Sequence, residues 1–392
     1  MTTEIHGSWS SRFRPVVEEF LRNFAERGEV GAALSVFIEG TLEVDVWAGW
    51  ADVENQLAWQ RDTLVNVYSA AKPVIAVNLL QLIDRGLIGL DDPIVSVWPE
   101  FAVHDKQRAT VRHALCHRAG VPAIRRDLTN DDLWKWDVMC EALAESEPYF
   151  EPGSRHIYHT NTYGHLVGEI TRRVSGEEPA TALAAMAKLL DADIHVGLTS
   201  EEQRRCATVY LAFGAPTQTS QSAPSSNTSD DTSNMIRRGY FNPPGYSSFG
   251  VVNSPEWRHA QIPSTNMHAT ARGLARWYVA LLGPSGLLSS ELLRQATAAQ
   301  SSGFCPVLGE HTVFGLGFKP TSAQRPFGTN ASSLGHFGTG GAVGFADPSA
   351  NVAFAYVMNH VIPRWQSSRN RALIDSLYGV LNQSTPPPNS KR

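Results

Sequence analysis

Apolar and polar positions alternate in a few recognisable patterns along the first hundred residues. Residues 10–28 carry apolar side chains at helical spacing, which predicts an N-terminal helix. Residues 31–50 predict a β-hairpin, because two apolar-rich segments flank a turn at Glu39 and Gly40. Residues 73–85 are almost continuously apolar and predict a buried helix.

The pattern changes after residue 105. Residues 105–250 carry mainly helical spacing, except for a tract of Ser, Thr, Gln and Asn at 214–234. That tract has too few apolar residues to pack a core, so we predict a flexible surface loop. The remaining segments predict a helix at 268–287, strands at 314–318, 335–346 and 352–357, and a last helix at 368–382.

This order of elements predicts an α+β fold in two lobes. Residues 1–104 and 251–392 together supply an antiparallel sheet flanked by helices. Residues 105–250 supply a mainly helical lobe that includes the insertion. The cleft between the two lobes is the expected ligand site.

Composition narrows the possible partners of this 392-residue chain. Its net charge of −5 gives no electrostatic reason to expect a nucleic acid. No apolar run approaches the 18 or so residues that a membrane-spanning helix needs, so we expect no membrane insertion. Residues 1–15 lack the pattern of a signal peptide, and the four cysteines form no CxxC pair. These features predict a cytoplasmic protein with free thiols.

The strongest chemical signal is the pair Ser69 and Lys72 at the start of the apolar helix. Residues three apart share a helix face, so the hydroxyl and the amine can meet. A serine becomes a nucleophile when a base takes its proton, and a lysine is a base only when its pKa is lowered. Burial at the head of an apolar helix lowers it, and backbone N–H groups in the same turn can stabilise an oxyanion.

Two further motifs follow in the chain. Tyr158 comes after a loop signal at 150–154 and before an apolar helix, and a phenol beside an ammonium is expected to ionise more easily than usual. The segment 335–348 contains His336 and many glycines, which let another backbone or a ligand approach closely.

Residues 64–75, with Ser69 and Lys72, resemble the nucleophile motif of class C β-lactamases and family VIII carboxylesterases. Segments 110–122 and 314–318 are also similar to that family. The resemblance implies the β-lactamase/penicillin-binding-protein-like fold, with Tyr158 as a general base or proton relay. It also implies that the triplet His336, Phe337 and Gly338 lines the edge of the cleft.

Two departures from the family pattern favour its esterase branch. Where β-lactamases often have Tyr-x-Asn, this chain has Tyr158, His159 and Thr160. Where they usually have Lys-Thr-Gly, this chain has the triplet that begins at His336. No Gly-x-Ser-x-Gly is present, which argues against an α/β-hydrolase elbow.

We therefore predict a serine hydrolase that cleaves a small-molecule carboxylic ester through an acyl-enzyme on Ser69. The alternatives are an acyltransferase that moves the acyl group to an alcohol, and an amide hydrolase of the β-lactamase or D-peptidase type. Trp134, Trp136 and Phe337 are candidates for the wall of the acyl pocket. No metal-binding or nucleotide-binding motif is present, so we expect no metal and no cofactor. The oligomeric state has no signal in the sequence.

Overall fold

The structure is a computed structural model that describes residues 3–211, 231–283, 286–362 and 366–383. The described strands, β1 to β15 in chain order, are Ile5–Trp9, Gly31–Ile38, Thr41–Asp52, Leu57–Ala58, Val65–Asn66, Ile194–His195, Tyr210–Leu211, His268–Ala269, Ser301–Cys305, Glu310–Phe314, Lys319–Pro320, Leu334–Phe337, Val343–Asp347, Val352–Met358 and His360–Val361. The described α-helices, α1 to α13, are Arg14–Glu26, Lys72–Asp84, Val111–Leu115, Asn130–Leu133, Trp136–Glu145, Thr162–Ser175, Pro179–Leu189, Ser200–Gln203, Asp231–Phe241, Pro255–His259, Ala271–Leu282, Ser290–Thr297 and Ser368–Gln383. Short 3₁₀ helices cover Ser11–Phe13, Tyr68–Ala71, Ile94–Ser96, Pro99–Ala102 and Lys106–Arg108.

The central feature is an antiparallel sheet with the strand order β1-β3-β2-β14-β13-β12-β11, and β4 pairs with β3. Strands from the two ends of the chain meet in its middle, where β2 pairs with β14 from Ala32 opposite Met358 to Ile38 opposite Val352. Helices α1 and α13 pack on each other, and α11 packs on β2, β13 and β14. Helices α2 to α12 all lie in the chain between the two groups of sheet strands, β1–β4 and β11–β14. The lobe boundaries near residues 104 and 250 stay a prediction.

The first hairpin, the N-terminal helix, the buried helix and the last helix are confirmed as β2–β3, α1, α2 and α13. The strand predicted at 335–346 is wrong, because it is a hairpin of β12 and β13. Its turn is closed by hydrogen bonds from Gly338 N to Ala342 O (2.6 Å) and from Gly341 N to Gly338 O (3.2 Å). Gly341 adopts φ +109°, a conformation that favours glycine.

Two other boundaries also differ from the prediction. The strand expected at 314–318 ends at Phe314, because the chain then turns: Gly315 N donates to Phe318 O (2.8 Å), and Gly317 within this turn has a φ of +84°. In the predicted loop at 214–234, residues 214–230 lie outside the described residues. Residues 231–234 begin helix α9, where Asp231 in the first turn suits the helix dipole.

The core lies between the sheet and the helices around it. It contains a buried ion pair between Arg369 and Glu29. Arg369 Nη1 lies 2.6 Å from Glu29 Oε1, and the two side chains are 1% and 0% exposed. The Tyr356 hydroxyl donates to Glu29, and Arg369 Nη2 donates to the carbonyl of His360 at 2.8 Å. Burial raises the pKa of Glu29, while Arg369 and the Tyr356 hydroxyl act to lower it. This pair joins α13 to the segment before β2.

Replacing Arg369 by methionine should lower the free energy of unfolding by about 3–5 kcal/mol, because it leaves a buried carboxylate without its cation. Urea unfolding followed by circular dichroism measures this change. The double variant Glu29→Gln with Arg369→Met should recover much of the loss. A loss of less than about 1 kcal/mol, as for an exposed ion pair, would contradict the prediction.

None of the helices within the described residues is both long and apolar enough to cross a membrane.

Candidate active site

Ser69 lies where a short strand bends into a helix. Strand β5 pairs with β8, which also pairs with β6, and this small sheet fixes the backbone that leads to Ser69. The preceding residue, Tyr68, has φ +51°, which is a strained conformation for an aromatic residue and costs on the order of 1–3 kcal/mol. The Tyr68 hydroxyl lies 3.2 Å from Ser248 Oγ, which holds the ring in place. Such strain is characteristic of functional sites.

Lys72 is fully buried directly beside the hydroxyl of Ser69. Its Nζ lies 3.0 Å from Ser69 Oγ, 2.8 Å from the carbonyl oxygen of Thr160 and 3.3 Å from that of Ser264. Burial lowers the pKa of Lys72 well below its usual 10.5, and no carboxylate among the described residues opposes this shift. The amine therefore gives up its proton far more easily than a solvated lysine does.

Tyr158 completes the group from the segment before α6. Its side chain is buried, and its hydroxyl makes a hydrogen bond with the Ser69 side chain. The Tyr158 ring stacks on Phe314 at 5.4 Å between ring centres, and its centre lies 5.0 Å from Lys72 Nζ. Burial raises the pKa of Tyr158 well above 10, although the hydrogen bond with Ser69 opposes the shift. The expectation of an easily ionised phenol is therefore wrong, because desolvation outweighs the hydrogen bond with Ser69.

Several imidazoles surround this group, and the sequence analysis assigned a place at the cleft to only one of them, His336. His117, His156, His159 and His336 are all buried. Burial lowers the pKa of His156 and of His159 to about 4, and the pKa values of the other two fall well below 6.5. These rings are therefore neutral near pH 7 and add no positive charge beside Lys72. Burial also raises the pKa of the neighbouring thiol, Cys116, to about 11, which makes it a poor nucleophile.

His336, Phe337 and Gly338, at the end of β12, differ in how close they lie to the site. The His336 ring lies 6.2 Å from the Tyr158 ring in a stacked arrangement. A Cβ on Gly338 would lie 2.1 Å from the carbonyl oxygen of Val67, so only glycine lets this strand reach the backbone next to Ser69. Phe337 instead stacks on Phe327 at 4.5 Å in the core and does not line the cavity at Ser69.

Neither tryptophan candidate reaches that cavity. The indole N–H of Trp136 donates to Glu169 Oε2 at 2.8 Å, and its ring lies 4.9 Å from the ring of His165. Trp134 ends α4 and packs partly buried against the core. Both rings belong to the packing of the helical region, where the carboxylate of Glu169 gives Trp136 a polar partner.

A cavity of about 570 Å³ opens at Ser69. It is lined by Tyr68, Ser69, Thr160, Asn161, Leu211, Tyr240, Phe241, Ser247, Ser248, Phe249, Thr265, Val307, Leu308, Arg325, Thr339, Val361 and Gln366. Most of this wall comes from separate loops and from α9, so no single motif in the sequence could have revealed it. Aromatic and aliphatic side chains supply much of its surface, which suits the apolar part of a small molecule.

Asn161 lies at the cavity wall, but its amide is already engaged. Its Nδ2 donates to the carbonyl of Gly239 and to Ser247 Oγ, both at 2.7 Å. Its Oδ1 accepts a hydrogen bond from Thr265 Oγ1 at 2.7 Å. A substrate carbonyl could accept a hydrogen bond from Asn161 Nδ2 only by displacing Gly239 O or Ser247 Oγ, so this side chain has no free N–H for recognition of an amide carbonyl.

Within the described residues, no group of three or more His, Cys, Asp or Glu side chains could hold a metal ion.

The fold and the geometry of the site are those of serine hydrolases related to β-lactamases. The sequence profile of the Beta-lactamase family matches residues 14–378, and the chain belongs to that family. This confirms the resemblance and the fold predicted from the sequence.

Of three individual relatives, two carry esterase names. The chain is 32% identical over 367 residues to "Esterase/beta-lactamase LipL" of Mycobacterium tuberculosis, which covers 91% of this chain and 83% of that protein. It is 31% identical to a solved family VIII carboxylesterase, with a TM-score of 0.87 over 96% of this chain and all of the other. It is 34% identical to a penicillin-binding protein homologue from Caulobacter crescentus, with a TM-score of 0.85 over the same shares.

Proposed function

We propose that the protein is a carboxylesterase that cleaves small-molecule esters through an acyl-enzyme on Ser69. The observation that carries this proposal is a fully buried lysine whose Nζ lies 3.0 Å from the Ser69 hydroxyl oxygen. The esterase names and structures among the relatives support it. The amide-hydrolase alternative is less well supported, because both N–H groups of Asn161 are engaged and none is left to bind an amide carbonyl.

The hydrogen bonds of Lys72 determine which way its lone pair points. A neutral amine has two N–H donors and one lone pair. The carbonyl oxygens of Thr160 and Ser264 only accept, so they take the two N–H bonds. The lone pair is then left for Ser69 Oγ, which can donate its proton to Lys72 as it attacks the ester carbonyl carbon.

The attack forms a tetrahedral intermediate with a negative charge on the former carbonyl oxygen. The backbone N–H groups of Ser69 and of Thr339, which both line the cavity, are our candidates to stabilise that charge. The intermediate collapses when the C–O bond to the alcohol breaks. Tyr158, kept protonated by burial, gives its proton to the leaving alkoxide and recovers one from the Lys72 ammonium. Water then attacks the acyl-enzyme by the reverse proton path and releases the acid.

The place of the protein in the cell is part of the same proposal. Cys116, Cys140, Cys206 and Cys305 are free thiols, as suits a reducing compartment. We therefore propose a cytoplasmic location.

Intact-protein mass spectrometry after incubation with a serine-directed phosphonate tests the acyl-enzyme route. We expect one phosphonyl adduct on the wild-type protein, located on the peptide that contains Ser69, and prompt hydrolysis of 4-nitrophenyl butyrate. The Ser69→Ala variant should form no adduct. An adduct that persists in this variant would show that the nucleophile is another residue, and a wild type with neither adduct nor turnover would contradict the esterase proposal.

A further inference from the structure

Of the described residues that line the cavity, Arg325 alone carries a formal charge. It lies in the loop between β11 and β12. Its backbone N–H donates to Ser322 O at 3.1 Å and to Ser322 Oγ at 3.2 Å, which fixes the turn. In the same loop, Pro326 accepts a hydrogen bond from Gln366 Nε2 at 3.3 Å. These hydrogen bonds fix the loop that carries the Arg325 guanidinium.

Glu310, at the start of β10, pairs with this guanidinium through both of its oxygens. Arg325 Nε lies 2.8 Å from Oε1, and Arg325 Nη2 lies 2.9 Å from Oε2. The two side chains are 21% and 25% exposed, so solvent screens the pair only partly. A two-point contact between a guanidinium and a carboxylate fixes the orientation of both groups and is stronger than a single hydrogen bond.

As far as the described lining residues are concerned, this pairing leaves the cavity wall without a net charge. A substrate carboxylate entering the cavity would lose water, face a guanidinium whose charge is already balanced, and be repelled by Glu310. An uncharged ester meets none of these costs. We propose that Glu310, by neutralising Arg325, makes the cavity selective for uncharged esters over esters that carry a carboxylate. The inference rests on the proposed esterase function and adds a residue that determines its substrate class.

Two other cations near the site do not change this argument. The Lys72 amine makes hydrogen bonds with Ser69 Oγ and with two carbonyl oxygens, and burial favours its neutral form. Lys319 is buried on β11, with its Nζ 5.1 Å from the centre of the Phe314 ring and its pKa lowered to about 8 by burial. Glu310 acts to raise the pKa of Lys319 and Arg325 acts to lower it, so the double variant proposed below, which removes both of these charges, is also the control for Lys319.

The test compares kcat/KM for three 4-nitrophenol esters. One is the neutral 4-nitrophenyl butyrate. The second, mono-4-nitrophenyl succinate, carries a carboxylate on its acyl part, and the third, 5-butyryloxy-2-nitrobenzoate, carries one on its alcohol part. The variant Glu310→Gln keeps the size of the side chain and removes the carboxylate that balances the charge of Arg325. The double variant Glu310→Gln with Arg325→Gln removes both charges and serves as the matched control.

We expect the wild type to prefer the neutral ester over both anionic esters. In Glu310→Gln the ratio of neutral to anionic kcat/KM should fall by about tenfold or more for at least one anionic ester, chiefly through a lower KM, because an unlike charge in a partly desolvated cleft attracts the carboxylate. The double variant should return this ratio towards the wild-type value. The ratio is taken within one preparation, so a smaller folded fraction does not alter it.

An unchanged or larger ratio for both anionic esters in Glu310→Gln would overturn the inference. That outcome leaves the esterase proposal intact as long as the wild type hydrolyses 4-nitrophenyl butyrate and Ser69→Ala does not. A wild type that hydrolyses none of the three esters would contradict the esterase proposal itself.

Discussion

Replacing Ser69 by alanine should lower kcat/KM for 4-nitrophenyl butyrate by about 10⁵-fold, because removal of a covalent nucleophile leaves only substrate binding and oxyanion stabilisation. Ser247 and Ser248 also line the cavity, but Ser69 is the serine whose Oγ lies 3.0 Å from Lys72 Nζ. The measurement is steady-state release of nitrophenol, corrected for hydrolysis without enzyme.

The matched control for this substitution is Ser302→Ala. Ser302 is exposed on β9, and its replacement should leave the rate within twofold of the wild type. Both variants should unfold at the wild-type urea midpoint within experimental error. Retention of more than about a hundredth of the wild-type kcat/KM in Ser69→Ala would show that ester cleavage does not pass through this hydroxyl.

Replacing Lys72 by methionine should lower kcat by about 10³-fold, the size of a general-base contribution. The substitution keeps an unbranched buried chain but removes the lone pair that accepts the Ser69 proton. The exposed Lys188 on α7 offers the matched control, since Lys188→Met also removes one lysine without touching the cavity. A variant that keeps a tenth or more of the wild-type kcat would exclude Lys72 as the base.

The pH profile of the wild type gives an independent check on Lys72. The amine can accept a proton only in its neutral form, so kcat/KM should rise with pH as Lys72 loses its proton. Because burial lowers the pKa of Lys72 well below 10.5, this rise should be complete far below the pH at which a solvated lysine ionises. The observed midpoint belongs to the coupled group of Lys72 and Tyr158, not to one residue. In Lys72→Met the same rise should be absent.

The parts of this molecule that follow from short-range patterns were predictable. The three-residue spacing of Ser69 and Lys72 at the start of an apolar helix gives their proximity, and the apolar periodicity gives α1, α2 and the first hairpin. Tyr158 required the family resemblance, because an isolated tyrosine has no chemical signature. The raised pKa of Tyr158 could not be predicted, since the burial of its ring depends on Phe314, which is distant in the sequence.

The wrong predictions about the pocket also arise from long-range packing, which the sequence pattern does not show. An aromatic pattern does not reveal which ring faces a ligand, and Trp136 was assigned to the pocket although Glu169 holds it elsewhere. The pairing of Glu310 with Arg325 joins a strand to a loop and leaves no pattern in the sequence. The turn after β12 was different, because the glycines at 340 and 341 could have signalled it.

The meeting of β2 and β14 in the middle of the sheet has a consequence for biosynthesis. The ribosome adds about 5–20 residues per second, and domains begin to fold as they emerge. Strand β2 therefore emerges many seconds before β14, the strand that pairs with one of its edges. During that interval its backbone N–H and C=O groups on that side are open to pairing with other chains. A nascent or truncated chain that lacks β14 should therefore depend on chaperones, although the finished protein presents no such edge at β2.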